Sequence, residues 1–462
     1  MKRFNAAMLL GLLLPFAALL LLTPANATPT CPTQLTANTT LTASCTGTIY
    51  LAKNGITLNC NSFTVSGPGP YGVEVAERLH VTVEKCTITG FTEGLYVAGT
   101  NSSTFTGNTA TANSDGVFVG FNGTSTGVST FDTFSGNVAN SNTGDGFNVA
   151  ASYVTTLTSN TANSNYYGFY ISTSYGATLK SNTANSNTFN GFYIYESYGT
   201  TLTSNTANSN PDAGFYVYYS YGSTLTSNTA NSNGAGFDIY DSYGSTLSSN
   251  TAKSNASGFI IESNGNTLTS NTANSNTDYG FYIPNSNGTT LKSNTANSNN
   301  IGFDIYNSDS STLTSNTAKS NTSDGFIIQS SGDTLTSNTA SSNLFVGFYI
   351  AYSKGNTLTS NTANSNSVTG FGIYSSAYNT ITSNTANSNQ NGFYLNGQSN
   401  TNWLRSNTAK SNSVIGFFFD STTSGNWVIS NTASGNVDYD AYQGLGASNL
   451  FITNSFTHHA GI

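Results

Sequence analysis

One phrase is written thirteen times between Gly146 and Gly416. It runs Gly-Phe, a short alternation of apolar and polar residues, then Thr-Leu-Thr-Ser-Asn-Thr-Ala-Asn-Ser-Asn. Successive Gly-Phe pairs, at Gly168, Gly191, Gly214 and onward, are 22 to 24 residues apart. A fixed period of that length predicts a stacked solenoid, in which each unit buries its apolar face only against its neighbours.

Within one period, Gly191-Phe192-Tyr193-Ile194-Tyr195 alternates with period two, as a half-buried strand does. Thr201-Leu202-Thr203 repeats the alternation with Leu202 inward. Ser204-Asn205-Thr206-Ala207 then turns a corner, with Ala207 small enough for a crowded interior. No stretch has helical periodicity, and Gly, Asn, Ser and Thr are poor helix-interior residues. The expectation is an all-β chain in which each coil of about 22–23 residues contributes three short strands. Leucine-rich repeats share the period, but Leu202-x-x-Asn205-x-Ala207 fits only half of their pattern. The Asn of Ser-Asn-Thr-Ala recurs from Asn160 and Asn182 to Asn407 and Asn431. Stacked amides can hydrogen-bond as a ladder, and Asn tolerates the left-handed backbone of a sharp corner.

Lys2 and Arg3 precede an apolar run, Met8 to Leu22, and then Ala25-Asn26-Ala27. That layout reads as a secretory signal peptide over 1–27, leaving no membrane insertion after cleavage. Residues 28–66 should form an N-terminal cap and first coil, 67–436 the coils, and 437–462 a closing segment. Thirteen regular coils at about 4.8 Å give a rod of roughly 60 Å, longer with the N-terminal coils. Asn108 to Asn137 is 29 residues, so Phe121–Phe134 is expected to loop out. All four cysteines precede the regular repeats, and in an exported chain they suggest disulfides. Three connectivities are possible. Cys31–Cys45 with Cys60–Cys86 is favoured, because the segments ending at Cys60 and Cys86 read as one strand in successive coils.

Only 7% of residues are charged, so the surface is neutral and rich in hydroxyls and amides. Without Lys2 and Arg3 the chain carries ten basic and twenty acidic residues. No basic patch exists to neutralise phosphates, which argues against nucleic acid. Secreted, periplasmic or cell-surface locations remain.

These phrases, with the opening Asn54-Gly-Ile-Thr-Leu-Asn-Cys60, resemble right-handed parallel β-helix repeats, more narrowly the NosD-like, carbohydrate-binding-and-sugar-hydrolysis type. The resemblance covers roughly residues 45–455 and implies a single right-handed parallel β-helix. It implies little about activity, since the family spans pectin-degrading enzymes, uronan epimerases, copper-site maturation proteins and surface proteins. The paired aspartates and basic clusters of its enzymes do not transfer to this sequence. Copper is disfavoured, because both methionines lie in the leader and His80, His458 and His459 lie near the ends. No metal or other cofactor is expected.

Three surface features remain. Asp238 and Asp241 flank Tyr240, and Glu262 occupies nearly the same place one coil on. The three should share an outer face, as an acid/base group, a calcium site, or merely solvated charges. Outward tyrosines form rows: Tyr170, Tyr193 and Tyr216 after Gly-Phe, and Tyr175, Tyr198, Tyr221 and Tyr243 in one turn. Such rows can stack on sugar rings, or simply stabilise a sheet. Thr-x-Thr pairs such as Thr201/Thr203 resemble ice-binding faces, a minor alternative that Lys180 and Lys292 interrupt. The sequence therefore favours a non-catalytic rod whose Tyr rows bind polysaccharide or another surface partner. The alternatives are a carbohydrate-active enzyme using Asp238, Asp241 and Glu262, or a purely structural or adhesive rod.

Overall fold

The computed structural model describes residues 28–121 and 127–462; residues 1–27, expected to be a signal peptide, lie outside the described residues. Most coils contribute three strands, and every described strand pairing is parallel. The Gly-Phe segments form a sheet of 20 strands and the Thr-Leu-Thr segments one of 19. The Thr-Ala-Asn segments form runs of five and thirteen strands, joined through single bridges at Thr161. Twenty strands at about 4.8 Å make a rod of roughly 90 Å. It is longer than the thirteen regular phrases predict, because coils with degenerate sequence stack in the same register from Gln34 to Ala460.

The core is a set of in-register columns. Phe147, Phe169, Phe192 and their successors to Phe417 lie face to face with centroids 4.6 to 4.9 Å apart. Leu and Ile columns and a column of alanines are likewise buried. Each large side chain so buried contributes about 1.5–3 kcal/mol gross.

The corners differ from expectation. Asn205 and Asn210 are buried, and the left-handed backbone falls on the serine before each, Ser204 at φ 55° and Ser209 at φ 57°. The asparagines build two ladders, one at each end of the Thr-Ala-Asn strand. The Asn205 Oδ1 accepts from the backbone N–H of Asn182 at 2.9 Å and from its Nδ2 at 3.0 Å. Asn205 Nδ2 donates to Leu179 O at 2.9 Å and to Asn228 Oδ1 at 3.0 Å. The third corner uses shorter groups, with Ser197 Oγ accepting from Ser174 N–H at 3.1 Å.

Cys31–Cys45 and Cys60–Cys86 are both disulfides, with Cα atoms 4.8 and 4.7 Å apart. The long interval after Asn108 is accommodated differently from the expected loop. Phe134 is fully buried and stacks on Phe105 at 4.6 Å. Of the expected loop 121–134, residues 122–126 lie outside the described residues, while Gly120 ends a Gly-Phe strand and Thr130 bridges to Asn101.

Candidate glycan-binding face

Both Tyr rows lie along the Gly-Phe sheet. Tyr170, Tyr193 and Tyr216 are register partners on adjacent strands, half-buried on its outer side. Their rings are 5.2 and 5.1 Å apart, and Tyr167 packs edge-on against Tyr193 at 5.1 Å. Tyr195 and Tyr218 widen the patch, 5.7 Å from each other and 5.9 and 5.6 Å from Tyr193 and Tyr216. These three extra rings sit at positions where the repeat varies, so no single coil marks them as part of a surface.

The second row occupies the turn that leaves the same sheet. Tyr175, Tyr198, Tyr221 and Tyr243 are exposed and stack at 5.0, 5.4 and 5.8 Å, nearly parallel. Tyr153 extends the row at 5.1 Å; its turn reads Ser-Tyr-Val rather than Ser-Tyr-Gly, which hid it in the sequence. At this spacing the rings cover one another's faces. Edges and hydroxyls remain for a ligand, and a free ring face exists only at the row's ends. Beside the row runs an open groove of about 460 Å³, lined by Tyr175, Tyr198, Tyr221, Thr173, Glu196 and Tyr219. Thr173, Glu196 and Tyr219 all take positive φ, 46° to 48°, which turns the chain off the sheet and opens the groove.

Asp238 continues the central column after Tyr216, and Glu262 pairs with Tyr240 on the next strand. Asp241 lies beyond the strand end, its N–H bonded to Glu262 O at 3.1 Å. Burial and then the charges of Glu262 and Asp212 push the Asp238 carboxyl up to about 7. Glu262 is raised by burial and by Asp241. Glu262 thus feels Asp241 and acts on Asp238, but among the described residues no group of three His, Cys, Asp or Glu is arranged to hold a metal ion.

Two further acid groups on this sheet were not singled out in the sequence, although Asp304 stands there among the outward residues after Gly-Phe. Glu93 and Asp115 are register partners, and Asp115 Oδ1 accepts from the Asp145 N–H at 2.7 Å. Burial and these neighbours raise Glu93 to about 8 and Asp145 to about 7. Asp304 is buried in the central column, raised to about 7 by burial and Asp324. The signal for these is columnar: only coil-by-coil alignment reveals acids above one another.

The right-handed beta helix region, as a family, matches residues 34–184, 257–409 and 301–457. The chain belongs to the right-handed β-helix family. The periplasmic copper-binding protein NosD family matches residues 137–267 of this β-helix. Its donor set does not suit copper, since all described cysteines are in disulfides and the three histidines lie near the ends. No curated protein matches the chain. Among solved structures it is similar to a periplasmic alginate epimerase, at 13% identity over 76% of this chain and 77% of that one, TM-score 0.40. Pectate lyase Pel9A is similar at 17% over 49% and 67%, TM-score 0.38. The A-module of an Azotobacter vinelandii mannuronan C-5 epimerase is similar at 16% over 68% and 86%, TM-score 0.34.

Proposed function

We propose that this β-helix is an exported, non-catalytic protein that holds an extended polysaccharide along its axis, in the groove beside Tyr175, Tyr198 and Tyr221. The groove carries this reading: it is open at the surface and walled by tyrosine edges and hydroxyls that recur once per coil. A polymer of hydroxyl-bearing units then meets the same donors and acceptors at each coil, so weak contacts add along one chain. Contact through hydroxyls and ring edges replaces the face-on ring stacking that the Tyr rows first suggest. Export is supported by the leader-like residues 1–27 and the two disulfides. Among the described residues, no helix is long and apolar enough to cross a membrane.

Affinity electrophoresis in gels containing single polysaccharides tests this. Tyr198→Ala with Tyr221→Ala should weaken retardation about tenfold while thermal unfolding stays that of the parent. Unchanged retardation would overturn the assignment to this groove.

A carbohydrate-active enzyme is the second reading, favoured by one observation. The Asp238 carboxyl, held near 7 beside Glu262, suits a general acid at neutral pH. Release of shortened or unsaturated products, abolished in Asp238→Asn, would establish it.

A further inference from the structure

Charge is sorted by sheet. Strands of the Gly-Phe sheet carry Glu74, Glu93, Asp115, Asp238, Glu262, Asp304 and Asp440, and no lysine or arginine. Strands of the other two sheets carry one acid, Glu84, against Lys180, Lys253, Lys292, Lys319, Arg405 and Lys410. Solubility alone would be served by either sign on any face.

The acidic face also holds unmet hydrogen-bonding capacity. Among the described residues, three buried carboxylate oxygens lack a partner: Glu93 Oε2, Asp238 Oδ1 and Asp304 Oδ1. All three belong to this sheet. Asp304 is only 8% exposed, yet its position in the column points outward, between Tyr282 and Ile327. Tyr279 and Tyr282 stack at 4.7 Å beside it, and the Asp324 charge acts on it. Asp324 is itself partnered, accepting from Val346 N–H at 2.8 Å and Ser323 Oγ at 3.2 Å. Asp238 sits three strands away along the same column, through Ile260 and Tyr282, or roughly 14 Å. It has Tyr216 on one side and Glu262 beyond.

We propose that the outer face of the Gly-Phe sheet between Asp238 and Asp304 binds ammonium groups of sugars, so that the preferred ligand is a polymer of amino sugars with free amines. This rests on the glycan-binding reading above and adds a second contact further along the axis, where the column of Tyr216 continues into Asp238. An ammonium brings three donors to an acceptor that has none, and its charge is favoured beside both carboxylates and tyrosine faces. A neutral sugar hydroxyl satisfies the oxygen but leaves the charge unpaired. A polyuronate brings further carboxylates to a face that already holds Asp238, Glu262 and Asp304 and no strand-borne cation, and is disfavoured.

The test uses residues 28–462 with four immobilised polymers near neutral pH: polyglucosamine, its fully N-acetylated form, a neutral glucan, and polygalacturonate. Parent protein should bind polyglucosamine about tenfold tighter than the N-acetylated polymer. Asp238→Asn with Asp304→Asn should remove that preference and leave N-acetylated binding unchanged. Lys292→Gln, on another sheet, should change neither. Equal affinity for the two polymers, or polygalacturonate binding best, would overturn the proposal while leaving the glycan reading intact. Retention by none of the four would overturn both. Salt-sensitive self-association without glycan would instead assign the acidic face to the lysine-bearing face of a second copy. Circular dichroism of each variant separates lost binding from lost fold.

Discussion

A primary amide has two N–H donors and a carbonyl with two lone pairs, and at Asn205 all four are used inside the solenoid. Asn205→Ala would remove the side-chain partner of the Asn182 N–H and of the Leu179 carbonyl and take one bond from each neighbouring amide, which keep Leu157 O and the residue-205 N–H. The expected loss is about 3 kcal/mol, read from urea unfolding; a loss below about 1 kcal/mol would mean water replaces the amide. The sequence exposed the first ladder through its repetition, but Asn was read as the residue that bends the chain. Its side chain is needed indoors, so the bend falls on serine, Ser204 at φ 55°. Ser204→Val should therefore cost about 1–2 kcal/mol, and Ser204→Gly should be tolerated, with the same unfolding assay separating the two.

At the scale of one coil, Gly191 shows why Gly precedes Phe. Its backbone is not left-handed; what excludes a side chain is proximity. A Cβ there would lie 2.8 Å from Gly214 O and 2.9 Å from Ala207 Cβ. Gly191→Ala should destabilise by roughly 1–3 kcal/mol, and thermal melting would show it. Strand, corner and core columns were legible because every copy repeats them. The surface was legible only in part. Tyr rows in consecutive copies could be lined up by eye. Glu93, Asp115 and Asp145 could not, because their coils lie before or at the first regular phrase and the residues they face come from other coils.

Over the whole molecule the unusual property is the direction in which acid chemistry runs. Burial holds Glu93 near 8 and Asp145, Asp238 and Asp304 near 7. In the unfolded chain these groups ionise near their ordinary values of about 4. Between those limits the folded state binds more protons, so stability falls as pH rises. Unfolding midpoints should be lower near pH 8 than near pH 5, and Glu93→Gln with Asp304→Asn should flatten the trend. A midpoint that rises over that interval would mean these carboxyls are ionised in the fold.

The amide ladders also have a sense. Each Oδ1 accepts only from the coil before it, and one ladder closes where Asn436 Nδ2 donates to the Asp440 carboxylate at 2.8 Å. The covalent cross-links, by contrast, lie only at the other end, within residues 31–86. Under tension the rod is thus a ratchet with one latched end. Pulled by its termini, it should pay out from the C-terminal side, in near-equal steps of roughly 75 Å, one coil of extended chain at a time. The first coils should release only after reduction, which would make a single molecule of this protein a ruler graduated in its own repeats.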